Sequence, residues 1–213
     1  MRKFVCYVIS VIFSLAVPMT SLGATIDDFD KVKNGNILSE EKLNHINDGI
    51  RDIPDYVIEL YNKVGGTLEF TNKVLGGNKN INGMYWLDGS DIQVRSSNDV
   101  LNNSSYAFRN ILAHELGHFV YYMTYGNWKQ ETKDELHKVF EYWNQYAPEC
   151  YNEVETFAEI YAWEMTGNDQ WNSHGEKEIV TKANSIVREL NARMEEGGFG
   201  PGFEKKLGYE DEN

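Results

Sequence analysis

Residues 105–126 read SYAFRNILAHELGHFVYYMTYG, and this stretch decides how the rest of the chain is organised. Its apolar residues recur at helical spacing and Gly126 provides a stop, so the pattern predicts one long helix. Within that helix His114 and His118 stand four residues apart, which places both imidazoles on one face, one turn apart. This spacing allows both rings to reach a single Zn²⁺ ion.

Glu115 lies between the two histidines and is rotated by about 100° from His114 around the helix axis. Its carboxylate therefore does not share their coordination, but it can reach a water at the metal and act as a general base. A structural zinc site has closed coordination and no use for such a carboxylate. Gly117 costs the helix up to about 1 kcal/mol relative to alanine, so we expect another backbone to approach closely there.

Two histidines leave a catalytic zinc one protein ligand short, and downstream carboxylates are the best candidates. Glu155 and Glu159 stand four residues apart in a second predicted helix and face the same way. One of them can bind the zinc while the other accepts a hydrogen bond from the free ring nitrogen of a ligating histidine. Glu153 is a weaker third candidate because acids are common at helix starts. His137 and His174 are predicted to be surface residues.

The remaining patterns predict an α+β fold. Residues 39–64 are expected to be helical, with Pro54 dividing them into two helices. Short segments rich in aromatic and β-branched residues follow, separated by Gly and Asn turns, and predict a small mixed sheet in the N-terminal half. The C-terminal half is predicted to be mostly helical, with a flexible tail at 197–213. The predicted strands are 67–72, 83–87 and 91–97, and the later helices are 133–146, 152–167 and 175–198.

The first 24 residues have the order of regions found in a secretory signal peptide. A short basic start precedes the apolar run FVCYVISVIFSLAVPM, and small residues follow, so cleavage is expected after Gly23 or Ala24. The alternative is a retained membrane anchor, but the run is short for a span and lacks a strong stop-transfer flank. We therefore expect a secreted protein without stable membrane association, in which residues 25–213 form a single domain.

The chain carries a net charge of −13, and loss of Arg2 and Lys3 with the signal makes the charge −15. A surface this acidic argues against nucleic-acid binding. Cys150 is the only cysteine outside the predicted signal, so no internal disulfide is expected. Such an exported protein depends on its core, and a bound metal would help to stabilise it.

The motif HELGH, followed by the segment ETFAEIYA, resembles the gluzincins, which are zinc peptidases whose third ligand is a glutamate. More narrowly, the second segment is similar to the EFFAE-type helix of the anthrax lethal factor catalytic domain and of the secreted Pro-Pro endopeptidases. The likeness extends to the order of elements over about residues 40–195. It implies a two-lobed, zincin-like fold, and cleavage next to proline is implied only by this likeness.

Carried over by position, the resemblance implies that His114, His118 and Glu155 bind one Zn²⁺ ion. It implies that Glu115 is the catalytic base and that Glu159 is the hydrogen-bonding partner of a ligating histidine.

The same families place a tyrosine a few residues before the glutamate ligand, where its hydroxyl stabilises the oxyanion. In this chain Pro148 occupies the position seven residues before Glu155. Tyr151, which leads directly into the helix, is the preferred candidate, and Tyr146 is the alternative.

Together these observations predict a secreted, monomeric zinc endopeptidase that cuts a peptide or protein substrate. We expect the substrate to lie extended between the sheet half and the helical half, paired with DIQVRSS (91–97) as the candidate edge strand, although an interior strand fits the same residues. The aromatic-rich run 119–128 either lines a specificity pocket or packs in the core. Two other functions stay open: a non-catalytic, toxin-like zinc-binding domain, and an intracellular HExxH regulator peptidase, against which the signal-like N-terminus argues.

Overall fold

The computed structural model describes residues 23–96, 105–145, 152–167 and 176–195. Over these residues the chain is α+β, with a small sheet in the N-terminal half and helices beyond it, as the sequence predicts. The strands are β1 (Val32–Lys33), β2 (Leu68–Thr71), β3 (Gly83–Trp86) and β4 (Asp91–Arg95). The helices are α1 (Glu40–Ile50), α2 (Asp55–Lys63), α3 (Ser105–Thr124), α4 (Gln130–Asn144), α5 (Glu153–Thr166) and α6 (Lys177–Glu195).

Local capping explains where the predicted helices begin and end. Ser39 accepts a hydrogen bond from the backbone N–H of Lys42 and starts α1, and Pro54 immediately precedes α2. Asn152 accepts the backbone N–H of Glu155 at 2.9 Å, which fixes the first turn of α5. That helix ends at Gly167, whose φ of 61° lies in the left-handed region.

The four strands form one sheet in the order β1-β2-β4-β3. β1, β2 and β4 are parallel, and β3 runs antiparallel to β4 with Gly83 opposite Val94 and Trp86 opposite Asp91. β1 escapes prediction because two residues are too few to show an alternating pattern.

The prediction that residues 91–97 form the edge strand is wrong. β4 lies inside the sheet, hydrogen-bonded to β2 on one side and to β3 on the other. Its side chains Ile92 and Val94 are fully buried, whereas no residue of β3 is buried and Trp86 is exposed. The central strand β4 buries more apolar side chains than β3 does, and β3 is the edge strand beside the helices.

α3 is the central helix of the fold, packed against α1 and α5 and touching β3 and β4. It is buried on several sides, with Leu116, Phe119 and Val120 fully inside. The close approach predicted at Gly117 is present: a Cβ there would lie 2.9 Å from the Cα of Ala158 in α5. The two helices therefore cross with their main chains almost in contact.

Residues 1–22, which hold nearly all of the predicted signal peptide, and the predicted tail 197–213 lie outside the described residues. Within the described part of the chain, no helix has the length and apolar character that a membrane span requires.

Candidate metal centre

The crossing of α3 and α5 brings the two predicted ligand faces together. Nε2 of His114 lies 3.4 Å from Oε2 of Glu155, and Nε2 of His118 lies 3.5 Å from the same oxygen. The ligand atoms of these three residues all lie within 4.8 Å of one another. The three side chains could therefore hold a metal ion.

The two histidine–glutamate distances can be compared with those of a tetrahedral metal site. In tetrahedral coordination, bonds of about 2.0–2.2 Å to nitrogen and oxygen separate neighbouring ligand atoms by about 3.3–3.6 Å. A direct hydrogen bond between a protonated histidine and a carboxylate would instead close to about 2.7–2.9 Å. The separations of 3.4 and 3.5 Å are longer than such a direct hydrogen bond.

Glu159 occupies the other side of the His114 ring. Its Oε1 lies 3.5 Å from Nδ1 of His114, so each ring nitrogen of this histidine faces a different carboxylate. The sequence left the roles of Glu155 and Glu159 open, and the structure places Glu155 next to both Nε2 atoms and Glu159 next to the remaining nitrogen. In this arrangement Glu155 could be a metal ligand and Glu159 could orient the imidazole.

The charge at the centre favours a cation. Burial lowers the pKa of His114, but the carboxylates of Glu159, Glu155 and Glu115 outweigh it and raise that pKa to about 9. The neighbouring imidazoles of His114 and His118 hold the pKa of Glu155 far below its ordinary value. The same carboxylates that hold a proton on the histidine attract a divalent ion, which displaces that proton when it binds.

Glu115 lies beside this group and is buried, with 4% of its surface exposed. Burial raises the pKa of its carboxyl group, and the neighbouring imidazoles of His114 and His118 oppose that rise. A buried carboxylate with a raised pKa suits a general base better than an exposed one, because its proton affinity lies closer to neutral pH.

Gly83 of the edge strand lies directly against Glu115, and sequence reasoning missed this contact. A Cβ at Gly83 would overlap Oε1 of Glu115 and would lie 2.8 Å from Cγ2 of Ile111. The only signal in the sequence was a glycine at the start of a predicted strand, a place where close backbone approach is common.

The same part of β3 has backbone groups that face away from the sheet. The carbonyl of Asn82 accepts the N–H of Arg95 at 2.7 Å, so residues 82, 84 and 86 bond inward to β4. Because inward and outward bonding alternate in an antiparallel pair, the N–H and C=O groups of Gly83 and Tyr85 point to the outer edge. This edge therefore offers hydrogen-bonding groups next to Glu115.

The weaker third candidate ligand, Glu153, lies elsewhere. Its Oε1 is 2.6 Å from Nδ1 of His137, and this hydrogen bond raises the pKa of that histidine. His137 is a surface residue, as predicted, with about half of its side chain exposed. His174, Cys150 and both candidate oxyanion tyrosines, Tyr151 and Tyr146, lie outside the described residues.

The aromatic run 119–128 packs mainly in the core, which was one of the two alternatives that the sequence left open. Phe119, Tyr121 and Trp128 are buried in the core. Tyr122, in contrast, is 37% exposed and stacks on Tyr85 of the edge strand. The run is mainly core, with one ring left at the surface beside β3.

No protein-family model matches the chain, and comparison with curated proteins finds no match. The function is therefore inferred from the residues of the site.

Proposed function

We propose that the protein is a zinc-dependent endopeptidase. The observation that carries the proposal is the convergence of His114, His118 and Glu155 at 3.4–3.5 Å, with the buried Glu115 beside them. Two imidazoles and one carboxylate are the ligand set of catalytic zinc sites, which keep a fourth position open. Glu115 distinguishes this proposal from a purely structural zinc site, which would leave a buried carboxylate without a role.

In the proposed reaction, His114, His118 and Glu155 would hold a zinc ion, which would supply polarisation of the scissile carbonyl and acidification of the attacking water. Glu115 accepts the proton of that water as the carbon–oxygen bond forms. It then delivers the proton to the amine of the leaving peptide as the carbon–nitrogen bond breaks. Glu159 keeps the ring of His114 in place through Nδ1 during both steps.

The substrate is proposed to bind as an additional strand on β3. The outward N–H and C=O groups of Gly83 and Tyr85 would pair with an extended peptide, as in other cases of strand addition. Because Gly83 lies against Glu115, a peptide in this position runs past the base and the metal ligands. A zincin-like, two-lobed arrangement is part of this proposal. In it the sheet lies on one side of α3, and α5 lies on the other side of that helix.

The proposal includes secretion and a monomeric state. Secretion is supported by the signal-like order of residues 1–24. The buried Ala24, whose N–H donates to the carbonyl of Arg51 at 3.2 Å, indicates that a purified form should retain this residue.

The test is a cleavage screen with the zinc-loaded protein and a diverse peptide library, read as new chain termini by mass spectrometry. Glu115→Ala is run in parallel and is expected to keep its zinc and lose about 10²–10⁴-fold in activity, the usual range for a general base. Glu178→Ala, which removes an exposed acid of α6, is the matched control and should cleave like the wild type. Identical cleavage by Glu115→Ala, or none by the zinc-loaded wild type, would contradict the proposal.

A further inference from the structure

We infer that Tyr122 and Tyr85 form a subsite that binds an aromatic side chain of the substrate. This inference rests on the proposed peptidase function and adds a substrate class to it: extended peptides with an aromatic residue at one fixed distance from the cleaved bond.

The first observation is the place of Tyr122 on α3. It follows His118 by four residues, as His118 follows His114, so the three side chains form one row along the helix. Adjacent members of such a row are neighbours on the helix surface, and the rings of His114 and His118 lie 4.8 Å apart. Tyr122 is therefore one turn beyond the metal ligands on the face that they share.

The second observation is that Tyr85 supports this ring from the edge strand. The Tyr85 and Tyr122 rings are stacked, with centroids 5.9 Å apart and an interplanar angle of 18°. Tyr85 also packs edge-on against the buried Phe119 at 6.3 Å, and its hydroxyl donates to Ser90 at 3.3 Å. Tyr122 thus rests on a ring that the core and the β3–β4 turn hold in place.

The third observation is exposure. Among the described residues of α1 to α6, Tyr122 is the only exposed large hydrophobic side chain; the other four such side chains lie between residues 37 and 87. Its neighbours Tyr121 and Trp128 are buried. An exposed aromatic ring beside a catalytic site presents a flat apolar surface to whatever lies in the cleft.

The register of a substrate strand then sets the distance. Gly83 and Tyr85 face the same side of β3, so the substrate residues opposite them are two positions apart, about 7 Å along the strand. When one substrate residue lies over Gly83 and Glu115, the residue two positions away directs its side chain onto the Tyr85–Tyr122 pair. Aromatic rings gain from edge-to-face or offset contact beyond the area that they bury. The geometry therefore favours Phe, Tyr or Trp at that position.

The experiment compares two peptides that differ only at this position, Phe against Ala, chosen from the sites found in the cleavage screen. For the wild type we expect kcat/KM to be at least about tenfold higher with Phe, as a single buried aromatic contact would give. Tyr122→Ala should reduce this ratio to about one, and Tyr122→Phe should retain it. The matched control is Trp86→Ala, which removes a more exposed ring from the opposite face of the same strand and should leave the ratio unchanged.

The outcomes separate the two proposals. Cleavage without aromatic enrichment at a fixed position within three residues of the bond would overturn the subsite and leave the peptidase proposal intact. The same holds if Tyr122→Ala keeps the Phe-to-Ala ratio, or if Trp86→Ala lowers it equally. Absence of cleavage by zinc-loaded wild-type protein would overturn the peptidase proposal, and the subsite with it.

Discussion

Two groups of histidine and glutamate side chains on α5 and its neighbours look alike in the sequence and differ in the structure. At the surface, His137 and Glu153 close to 2.6 Å and form a direct ion pair. At the helix crossing, His114 and His118 lie 3.4 and 3.5 Å from Glu155. The spacing, more than the residue types, distinguishes the direct ion pair at the surface from the group at the crossing, which could hold a metal ion.

The surroundings of the surface pair and of the group at the helix crossing also differ. The His137 pair is exposed, so water screens it and it contributes little to folding. The group at the crossing is backed by Glu115, which is buried, and by Glu159 on the far side of the His114 ring. A buried acid such as Glu115 is costly without a nearby cation, so a metal ion would stabilise the second group more than the first.

Among the substitutions that test this comparison, Glu155→Ala is expected to have the largest effect on zinc affinity. Loss of one of three ligands should weaken zinc binding by more than about 100-fold, above the usual effect of removing a ligand's hydrogen-bonding partner. Glu153→Ala, two residues earlier on the same helix, should leave zinc affinity unchanged. Competition with a chromophoric chelator measures both, and equal affinities for the two variants would show that Glu155 is not a ligand.

A smaller effect is expected for Glu159→Ala. Because Glu159 faces Nδ1 of His114 and does not share the Nε2 side, its loss should weaken zinc binding by about 10–100-fold. The same chelator competition applies. If Glu159→Ala weakened zinc binding more than Glu155→Ala does, Glu159 would be the ligand and Glu155 would be the partner of the imidazole.

Gly83→Ala tests the contact between the edge strand and the Glu115 carboxylate. The added methyl group overlaps the Glu115 carboxylate without touching a metal ligand, so hydrolysis should fall while zinc affinity stays near the wild-type value. Overpacking of this kind destabilises by about 1–3 kcal/mol, measurable by urea unfolding. Gly89→Ala is the control, since its methyl group meets nothing closer than 3.4 Å. Unchanged activity in Gly83→Ala would mean that Glu115 moves freely.

The smallest expected effect concerns pH and the surface pair. The hydrogen bond to Glu153, with Glu141 also nearby, raises the pKa of His137 above about 6.5, its unfolded value. Its stabilising contribution is therefore present below about pH 6.5 and is lost as pH rises through the raised pKa. An NMR titration should show the raised pKa, and His137→Gln should remove this part of the pH dependence. A His137 pKa at or below 6.5 would contradict the pairing.

The site helix and its partner could be predicted because their chemistry is local. His114 and His118 share a face by helical spacing alone, and Glu155 and Glu159 share another, so only the meeting of two helices had to be supplied. Gly117 indicated where that meeting occurs. The structure brings these predicted residues together, whereas their zinc binding and catalysis stay predictions.

What the sequence could not provide depends on contacts between distant segments. DIQVRSS looked like an edge strand because strand order is invisible in one segment, and only the pairing of Ile92 with both Leu68 and Tyr85 makes it central. The contact of Gly83 with Glu115 has the same origin. The exposure of Tyr122 could not be predicted, because a run of adjacent aromatic residues does not indicate which ring faces solvent.

The contact between Gly117 and Ala158 has a consequence for ion selectivity. Since the main chains of α3 and α5 nearly touch at this point, the two helices cannot draw closer. In the proposed metal site, the gap between the imidazoles and the carboxylate would suit a small ion with few ligands. Ca²⁺ requires six to eight oxygen ligands at about 2.3–2.6 Å and would find neither the number nor the room here. In the proposed metal site, the helix crossing would therefore favour Zn²⁺ over Ca²⁺.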